Sequence, residues 1–211
     1  MKRILIVGAG GFGREMFHWL QQHPDYATKW LIGGFLDDNV KALDGFSYSP
    51  GIVGFIADYR PSPNDLLVCA LGLPKSKKAV VEPLIAQGAE FLTFVHPSAV
   101  IGGNVELGTG TVICPGAVLT SDIRLGRFVT VNNCATIGHD AVVGNYTSLS
   151  CHADITGFCQ VGEAVFFGSH GGMIPHTVVG DWAIVGAGSM IMTTVPPAAT
   201  VLGVPAKQIS P

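Results

Sequence analysis

Residues 131–145 read VNNCATIGHDAVVGN, and an aliphatic residue returns in this stretch every six positions, at Val131, Ile137 and Val143. The same period runs from residue 95 to residue 191 without a break in register, and all seventeen residues on it are apolar and bulky. They are Val95, Ile101, Leu107, Ile113, Leu119, Leu125, Val131, Ile137, Val143, Leu149, Ile155, Val161, Phe167, Met173, Val179, Val185 and Ile191. A hexapeptide period of this length predicts a parallel β-helix.

Each six-residue unit predicts one short strand and one corner, so three units make an 18-residue triangular coil with the aliphatic side chains stacked inside. Seventeen units predict between five and six coils, about 27 Å of prism at the usual strand spacing. The residue four places after each aliphatic one is small or β-branched, as at Ala99, Val105 and Thr111. Glycine directly follows nine of the seventeen. We expect these glycines to adopt backbone angles that other residues avoid.

The first 94 residues follow a different pattern. RILIVGAGG (residues 3–11) predicts a buried strand that ends in glycines, and FGREMFHWLQQ (12–22) predicts a helix with Met16, Phe17 and Leu20 on one side. WLIGGFLDD (30–38) and DLLVCALG (65–72) predict two further strands, and residues 75–89 predict a helix interrupted at Pro83. Alternating strands and helices predict a Rossmann-like βαβαβ domain with a parallel sheet over residues 1–94. The β-helix and a C-terminal tail then occupy residues 95–211.

The composition excludes several classes of protein. The net charge is −3 and the pI about 6.1, so the chain lacks the basic footprint of a nucleic-acid-binding protein. No apolar run reaches the 18 or more residues of a membrane-spanning helix, and the N-terminus predicts a strand rather than a signal peptide. Five cysteines without a CxxC pair are typical of reduced thiols in the cytoplasm.

A glycine-rich turn follows the first predicted strand. Gly8, Gly10 and Gly13 match G-x-G-x-x-G before a helix, and Asp37 and Asp38 end the next strand. The N-terminus of such a helix offers free amides to a phosphate, which favours a phosphate-bearing ligand. A dehydrogenase is disfavoured because only one mononucleotide-sized half is present. A tight turn needed for packing of the strand on the helix is the alternative.

His139 comes two residues after Ile137. This places it on a corner, outside the stack of the seventeen aliphatic side chains, here called the aliphatic ladder. A solvated corner residue is one interpretation. The other is a general base, because an imidazole group titrates near neutral pH and a neighbouring Asp140 carboxylate would hold the required tautomer. Eighteen residues further on, Gly157 should stack on His139, where its N–H can stabilise an oxyanion and its missing side chain lets a substrate approach.

The motifs GAGGFGRE (8–15), GFLDD (34–38), ALG (70–72), HPSAVIG (96–102), VNNCATIGHD (131–140) and GVPAK (203–207) span the chain. Together they resemble the sialic-acid O-acetyltransferase (NeuD) family, which includes the PglD-type N-acetyltransferases of nucleotide-linked 4-amino sugars. The resemblance implies that the β-helix is left-handed. It also implies a homotrimer that binds acetyl-CoA between subunits and a nucleotide-activated sugar on the N-terminal domain, serving polysaccharide biosynthesis in the cytoplasm.

The resemblance assigns roles to individual residues. The base is His139, its partner is Asp140, and Gly157 supplies the amide for the oxyanion. The sugar nucleotide is assigned to Gly10, Gly11, Phe12, Gly13, Arg14, Asp37, Asp38, Gly72 and Asn132. Acetyl-CoA is assigned to Ser148, Gly157, Ser169, Ala187 and Lys207. Some amino-sugar members carry histidine where this chain has Phe12 and Ser148, so the resemblance leaves the identity of the acceptor open.

The expected reaction is acetyl transfer from acetyl-CoA to the amine of a nucleotide-linked 4-amino-dideoxy sugar, by direct attack on the thioester. O-acetylation of a sugar such as sialic acid and a non-catalytic nucleotide-sugar-binding scaffold are the alternatives. A zinc enzyme of the γ-carbonic anhydrase type would need histidines at positions 175 and 180, which are Pro175 and Gly180, so no metal is expected. His152 and His170 are 18 residues apart and should stack on one face.

Overall fold

The computed structural model describes residues 1–210. The chain divides into two compact units, one of residues 1–72 with 76–92 and a second of residues 73–75 with the chain from 93 onward. The first 92 residues form β1 (Lys2–Val7), α1 (Gly11–Gln22), β2 (Trp30–Leu36), β3 (Ile52–Gly54), β4 (Asp65–Cys69) and α2 (Pro74–Ala86).

The four strands form one parallel sheet in the order β3-β2-β1-β4. The central strand β1 is buried from Ile4 to Val7, as expected for a parallel strand covered on both faces. The predicted apolar side of α1 is confirmed, because Met16, Phe17 and Leu20 are buried, and the helix packs on β1 and β2. The first unit therefore has the predicted Rossmann-like arrangement, with the glycine-rich turn at the carboxyl end of β1.

Two predictions for this unit are wrong in detail. The sequence predicts three strands, and β3 is a fourth, a half-exposed edge strand of three residues that is too short to show an apolar alternation. The proline of α2 does not interrupt the helix, since Pro83 lies inside it and the helix continues to Ala86.

The second unit is a parallel β-helix built from two-residue strands. These are β5 (Phe94–Val95), β6 (Val100–Ile101), β7 (Glu106–Leu107), β8 (Val112–Ile113), β9 (Val118–Leu119), β10 (Arg124–Leu125), β11 (Thr130–Val131), β12 (Thr136–Ile137), β13 (Val142–Val143), β14 (Ser148–Leu149), β15 (Asp154–Ile155), β16 (Gln160–Val161), β17 (Phe166–Phe167), β18 (Gly172–Met173), β19 (Val178–Val179), β20 (Ile184–Val185) and β21 (Met190–Ile191). β22 (Thr200–Leu202) and an antiparallel β23 (Lys207–Ser210) complete it.

The strands of the second unit form three sheets, which are the faces of the prism. Face 1 contains β5 and every third strand as far as β20, followed by β22 and β23. Face 2 begins with β6, and face 3 begins with β7. The chain passes from face 1 to face 2 to face 3 in each 18-residue coil, so Ile137 pairs with Leu119 on one side and with Ile155 on the other.

The aliphatic ladder is confirmed at all seventeen positions, since each is the last residue of one of the strands β5–β21. From Ile113 onward these side chains are at most 4% exposed. Val95, Ile101 and Leu107 in the first coil are more exposed, because no earlier coil stacks on them.

The expected reason for the nine glycines is wrong. None of them has a positive φ. The left-handed position lies two residues later and is mostly occupied by other residues, such as Asp140 and Tyr146. The glycines are needed because the coils touch there: a Cβ on Gly144 would lie 2.5 Å from the carbonyl carbon of Gly162, and one on Gly138 would lie 2.6 Å from the nitrogen of Gly157.

Candidate active site

The edge between faces 2 and 3, here called edge 2–3, carries the predicted base. At the crossing from β12 to β13, His139 and Asp140 project outward and remain about half exposed. Asp140 adopts φ +59°, a left-handed conformation that Asp tolerates better than most residues. The sequence neighbours therefore turn their side chains toward each other instead of pointing to opposite sides.

The two side chains form a hydrogen-bonded pair. Nδ1 of His139 lies 2.8 Å from Oδ2 of Asp140. Because a carboxylate can only accept, the pairing assigns the imidazole proton to Nδ1 and leaves the lone pair of Nε2 available. This is the tautomer that a general base requires.

Gly157 lies directly beside the His139 ring, as the 18-residue count predicts. A Cβ on Gly157 would stand 2.7 Å from both Cε1 and Nε2 of His139. The absent side chain thus makes room for the base itself, whereas the sequence led us to expect room for the substrate. The Gly157 N–H donates no hydrogen bond to any described residue, so the amide beside the base is available to an incoming oxyanion.

An aromatic column that the sequence analysis did not identify continues along edge 2–3. The Phe158 ring meets the His139 ring at a centroid distance of 5.0 Å and an angle of 88°. On its other side Phe158 stacks on His176 at 4.7 Å and 6°. The 18-residue spacing of Asp140, Phe158 and His176 is the signal that would have found it. The predicted stack of His152 on His170 is present on the edge between faces 1 and 2, here called edge 1–2, with the rings 4.7 Å apart.

The glycine-rich turn is built for close approach and leaves its amides free. Gly8 has φ +100°, and a Cβ on Gly13 would stand 2.0 Å from the Gly8 carbonyl oxygen, so strand and helix can pack only with glycine there. Gly10 and Gly11 have no such neighbour within 4 Å. No side chain caps α1, and among residues 1–210 nothing accepts from the amides of Gly11, Phe12 and Gly13. Gly8 and Gly13 therefore support the interpretation of the motif as a packing turn, and Gly10 and Gly11 support its interpretation as a phosphate site.

Arg14 and the two aspartates surround this turn. The Arg14 guanidinium lies 3.7 Å from the centre of the Phe46 ring. Asp37 accepts from Ala9 N–H through Oδ2, at 2.7 Å, and from Asn39 N–H through Oδ1, at 2.8 Å. Asp38 accepts from Ile56 N–H at 2.8 Å. Both carboxylates thus hold backbone at the carboxyl end of the sheet.

The remaining predicted site residues are spread over other parts of the fold. Asn132, Ser169 and Ala187 lie on edge 1–2, and Ser148 is buried on face 1. Lys207 is exposed on β23, which extends face 1. Gly72 is exposed after β4. The structure brings His139, Asp140 and Gly157 together, but it places Ser148 on the face opposite their edge.

The α/β unit with the uncapped glycine-rich turn is the part of the chain that resembles the PglD-type proteins. Residues 3–84 match the PglD N-terminal domain family. The resemblance predicted from the sequence is confirmed.

Individual relatives agree with this assignment. The chain is 32% identical over 117 residues to UDP-N-acetylbacillosamine N-acetyltransferase of Bacillus subtilis (strain 168), an alignment that covers 54% of this chain and 51% of that protein. The chain thus matches about half the length of this curated relative. The acetyltransferase domain of PglB from Neisseria gonorrhoeae FA1090, in complex with acetyl coenzyme A, superposes with a TM-score of 0.85 at 26% identity over 99% of both chains.

PerB from Caulobacter crescentus, in complex with CoA and GDP-perosamine, superposes with a TM-score of 0.84 at 25% identity, over 100% of this chain and 98% of that one. Within residues 1–210, no helix is long and apolar enough to cross a membrane.

Proposed function

We propose that this protein transfers the acetyl group of acetyl-CoA to the amine of a nucleotide-linked amino sugar. The observation that carries the proposal is the His139–Asp140 pair. Its 2.8 Å hydrogen bond leaves Nε2 of His139 able to take a proton, and the free Gly157 amide lies beside that atom. The names of the relatives, an N-acetyltransferase and a complex with CoA and GDP-perosamine, support an amine on a nucleotide sugar as the acceptor.

The reaction proceeds by direct attack. The amine nitrogen bonds to the thioester carbonyl carbon while Nε2 of His139 takes the amine proton. Asp140 stabilises the imidazolium that forms. The Gly157 N–H donates to the oxygen that becomes negative in the tetrahedral intermediate. Collapse breaks the carbon–sulfur bond, and the CoA sulfur leaves with the proton returned by His139.

The glycine-rich turn is the proposed site of the nucleotide. The unpaired amides of Gly11, Phe12 and Gly13 and the positive end of the α1 dipole favour a diphosphate. Open space at Gly10 and Gly11 admits phosphate oxygens close to the backbone. Arg14 on the first turn of α1 adds a positive charge.

The arrangement of the donor residues supports a site shared between chains. His139 lies on edge 2–3, and Ser148, proposed to contact acetyl-CoA, lies on the opposite face of the same prism. A donor that touches both residues must therefore lie between two chains. Such a contact joins different surfaces of two copies. Repeated with a rotation of one third of a turn, it closes into the ring of a homotrimer. We place the enzyme in the cytoplasm, in polysaccharide biosynthesis.

The experiment is an acceptor screen with the purified protein and acetyl-CoA. UDP-, GDP- and dTDP-linked 4-amino sugars and sialic acid are offered separately, and thiol release and product mass are measured. We expect CoA release with an amino sugar and its loss in His139→Ala, whereas His18→Ala, which removes an exposed imidazole from α1, stays active. Acetylation of sialic acid alone would favour the O-acetyltransferase, and nucleotide-sugar binding without any acetylation would favour the scaffold.

A further inference from the structure

Phe158 is an apolar side chain that the β-helix does not need for its core. It lies on edge 2–3 at the left-handed position, with φ +60°, and it is 46% exposed. Phe128 and Tyr146 occupy the same position on the edge between faces 3 and 1, but both are almost fully buried. A bulky residue in this conformation is strained, and a ring that stays exposed gains little stabilisation from burial. Trp182 at the same position is 41% exposed as well, so exposure alone assigns no role to Phe158, and its contacts must decide.

The contacts of Phe158 are concentrated on the base. Its N–H donates to the carbonyl oxygen of His139 at 2.9 Å, which fixes its backbone against that of the base. Its ring then meets the imidazole at 88° and 5.0 Å, a favourable edge-to-face geometry. His176 stacks on Phe158 at 4.7 Å and limits rotation of the phenyl ring.

The base is consequently held on three sides. Asp140 binds Nδ1, the Gly157 backbone lies beside the Cε1–Nε2 bond, and Phe158 stands perpendicular to the ring. The hydrogen bond to Asp140 alone would be a weak restraint, because both partners are about half exposed and water competes for an exposed hydrogen bond. An aromatic wall adds a restraint that water does not weaken.

We propose that Phe158, braced by His176, is a positioning residue that keeps the His139 imidazole in the orientation and tautomer required for proton transfer. The proposal deepens the proposed function and rests on it for its effect on the reaction. Phe158 acts through its contact with the ring of the base, so its loss should lower kcat and leave donor binding nearly unchanged.

Three variants of the full-length protein test this. Phe158→Leu removes the ring and keeps an apolar side chain, and Phe158→Tyr keeps the ring. Trp182→Leu is the matched control, because Trp182 is 41% exposed at the same left-handed position, φ +62°, on a different edge. We expect kcat to fall about 10- to 100-fold in Phe158→Leu, with the KM for acetyl-CoA within about threefold of wild type. Phe158→Tyr should recover most of the rate, and Trp182→Leu should leave it unchanged.

A second measurement needs no substrate. Side-chain ¹⁵N NMR reports the tautomer of each histidine, with His139→Ala identifying the signal of the base. We expect a single Nδ1-protonated form in wild type and Phe158→Tyr, and a mixture in Phe158→Leu. A wild-type kcat in Phe158→Leu, a loss confined to the KM for acetyl-CoA, or an unchanged tautomer population would overturn the proposal. If the wild type acetylates no acceptor, the proposed function fails, and the tautomer comparison alone decides whether Phe158 orders the base.

Discussion

The His139 imidazole lies against the backbone of Gly157, so that a methyl group on that glycine would stand 2.7 Å from Nε2. The added methyl group would clash with a half-exposed side chain, which can turn away, and not with the backbone. The contact therefore constrains the base much more than it constrains the fold.

Replacement of this glycine should separate activity from stability. In Gly157→Ala the imidazole must leave its present position, and we expect kcat to fall about 100-fold with a change in unfolding free energy below about 1 kcal/mol. Gly103→Ala is the control, because Gly103 occupies the same corner position three coils earlier and a Cβ there meets nothing within 4 Å. Steady-state kinetics and urea unfolding are the measurements; equal kcat values for the two variants would contradict the geometry.

The second prediction concerns the carboxylate beside the base. Asp140→Asn preserves the side-chain shape and a residue type that tolerates the left-handed backbone, but it removes the charge that stabilises the imidazolium. We expect kcat to fall about 10²- to 10⁴-fold with little change in KM. Asp122→Asn is the control, one coil earlier at the same position and hydrogen-bonded to Asn104. A fully active Asp140→Asn would mean that the pair is a solvated corner.

Much of the β-helix could be predicted because the strands repeat a simple rule seventeen times. Each coil pairs in register with the next, so an 18-residue count was enough to place Gly157 beside His139. The sequence did not predict why glycine follows nine of the aliphatic residues, since the reason is the short separation between neighbouring coils and not a property of any one residue. β3 was missed because three half-exposed residues at a sheet edge carry no apolar pattern.

The site, like the fold, could be predicted from the sequence only in part. The sequence identified the base and its neighbour, which are adjacent in the chain, and the count by coils added the glycine amide. It did not identify Phe158 as part of the site. The 18-residue spacing from Asp140 places Phe158 there, but a phenylalanine on a corner suggests no chemistry by its residue type. The donor residues were assigned by resemblance alone, and no count along one chain indicates that Ser148 lies on the face opposite His139.

The third prediction tests the contact between coils. A Cβ on Gly144 would lie 2.5 Å from the carbonyl carbon of Gly162 and 2.6 Å from the nitrogen of Glu163. Because backbone cannot turn aside, Gly144→Ala should lower the free energy of unfolding by about 1–3 kcal/mol. Urea unfolding against Gly103→Ala checks this. Equal stability of the two variants would contradict the contact between coils as the reason for these glycines.

The fourth prediction concerns alkaline pH. Burial, and next the negative charge of Asp65, raise the pKa of Tyr59 to about 12, so the folded protein favours the neutral phenol. The resulting stability is fully present below pH 10, the ordinary pKa of tyrosine, and is lost as the pH rises through about 12. Tyr59→Phe removes the hydrogen bond to Asp65 and should cost about 1 kcal/mol at neutral pH. The difference between wild type and variant should shrink from pH 9 to pH 12 in urea titrations, and a constant difference would contradict it.

The last prediction separates the two roles available to Asp37. Its carboxylate holds the amides of Ala9 and Asn39, and Ala9 is fully buried. Asp37→Ala leaves the Ala9 N–H without its acceptor, which costs about 1–3 kcal/mol. We also expect nucleotide-sugar affinity to fall at least about tenfold, because the turn that presents the amides of α1 loses its anchor.

Asp37→Asn distinguishes anchoring from direct contact with the ligand. An asparagine oxygen can accept from one of the two amides but not from both in the present geometry, so anchoring predicts intermediate losses of both stability and affinity. Direct recognition of the ribose or base predicts that affinity falls as far in Asp37→Asn as in Asp37→Ala, although stability shows only the intermediate loss. Calorimetric titration with UDP and GDP, together with urea unfolding, measures both quantities. Asp58→Ala, which removes an exposed carboxylate from the same unit, controls for the change in charge.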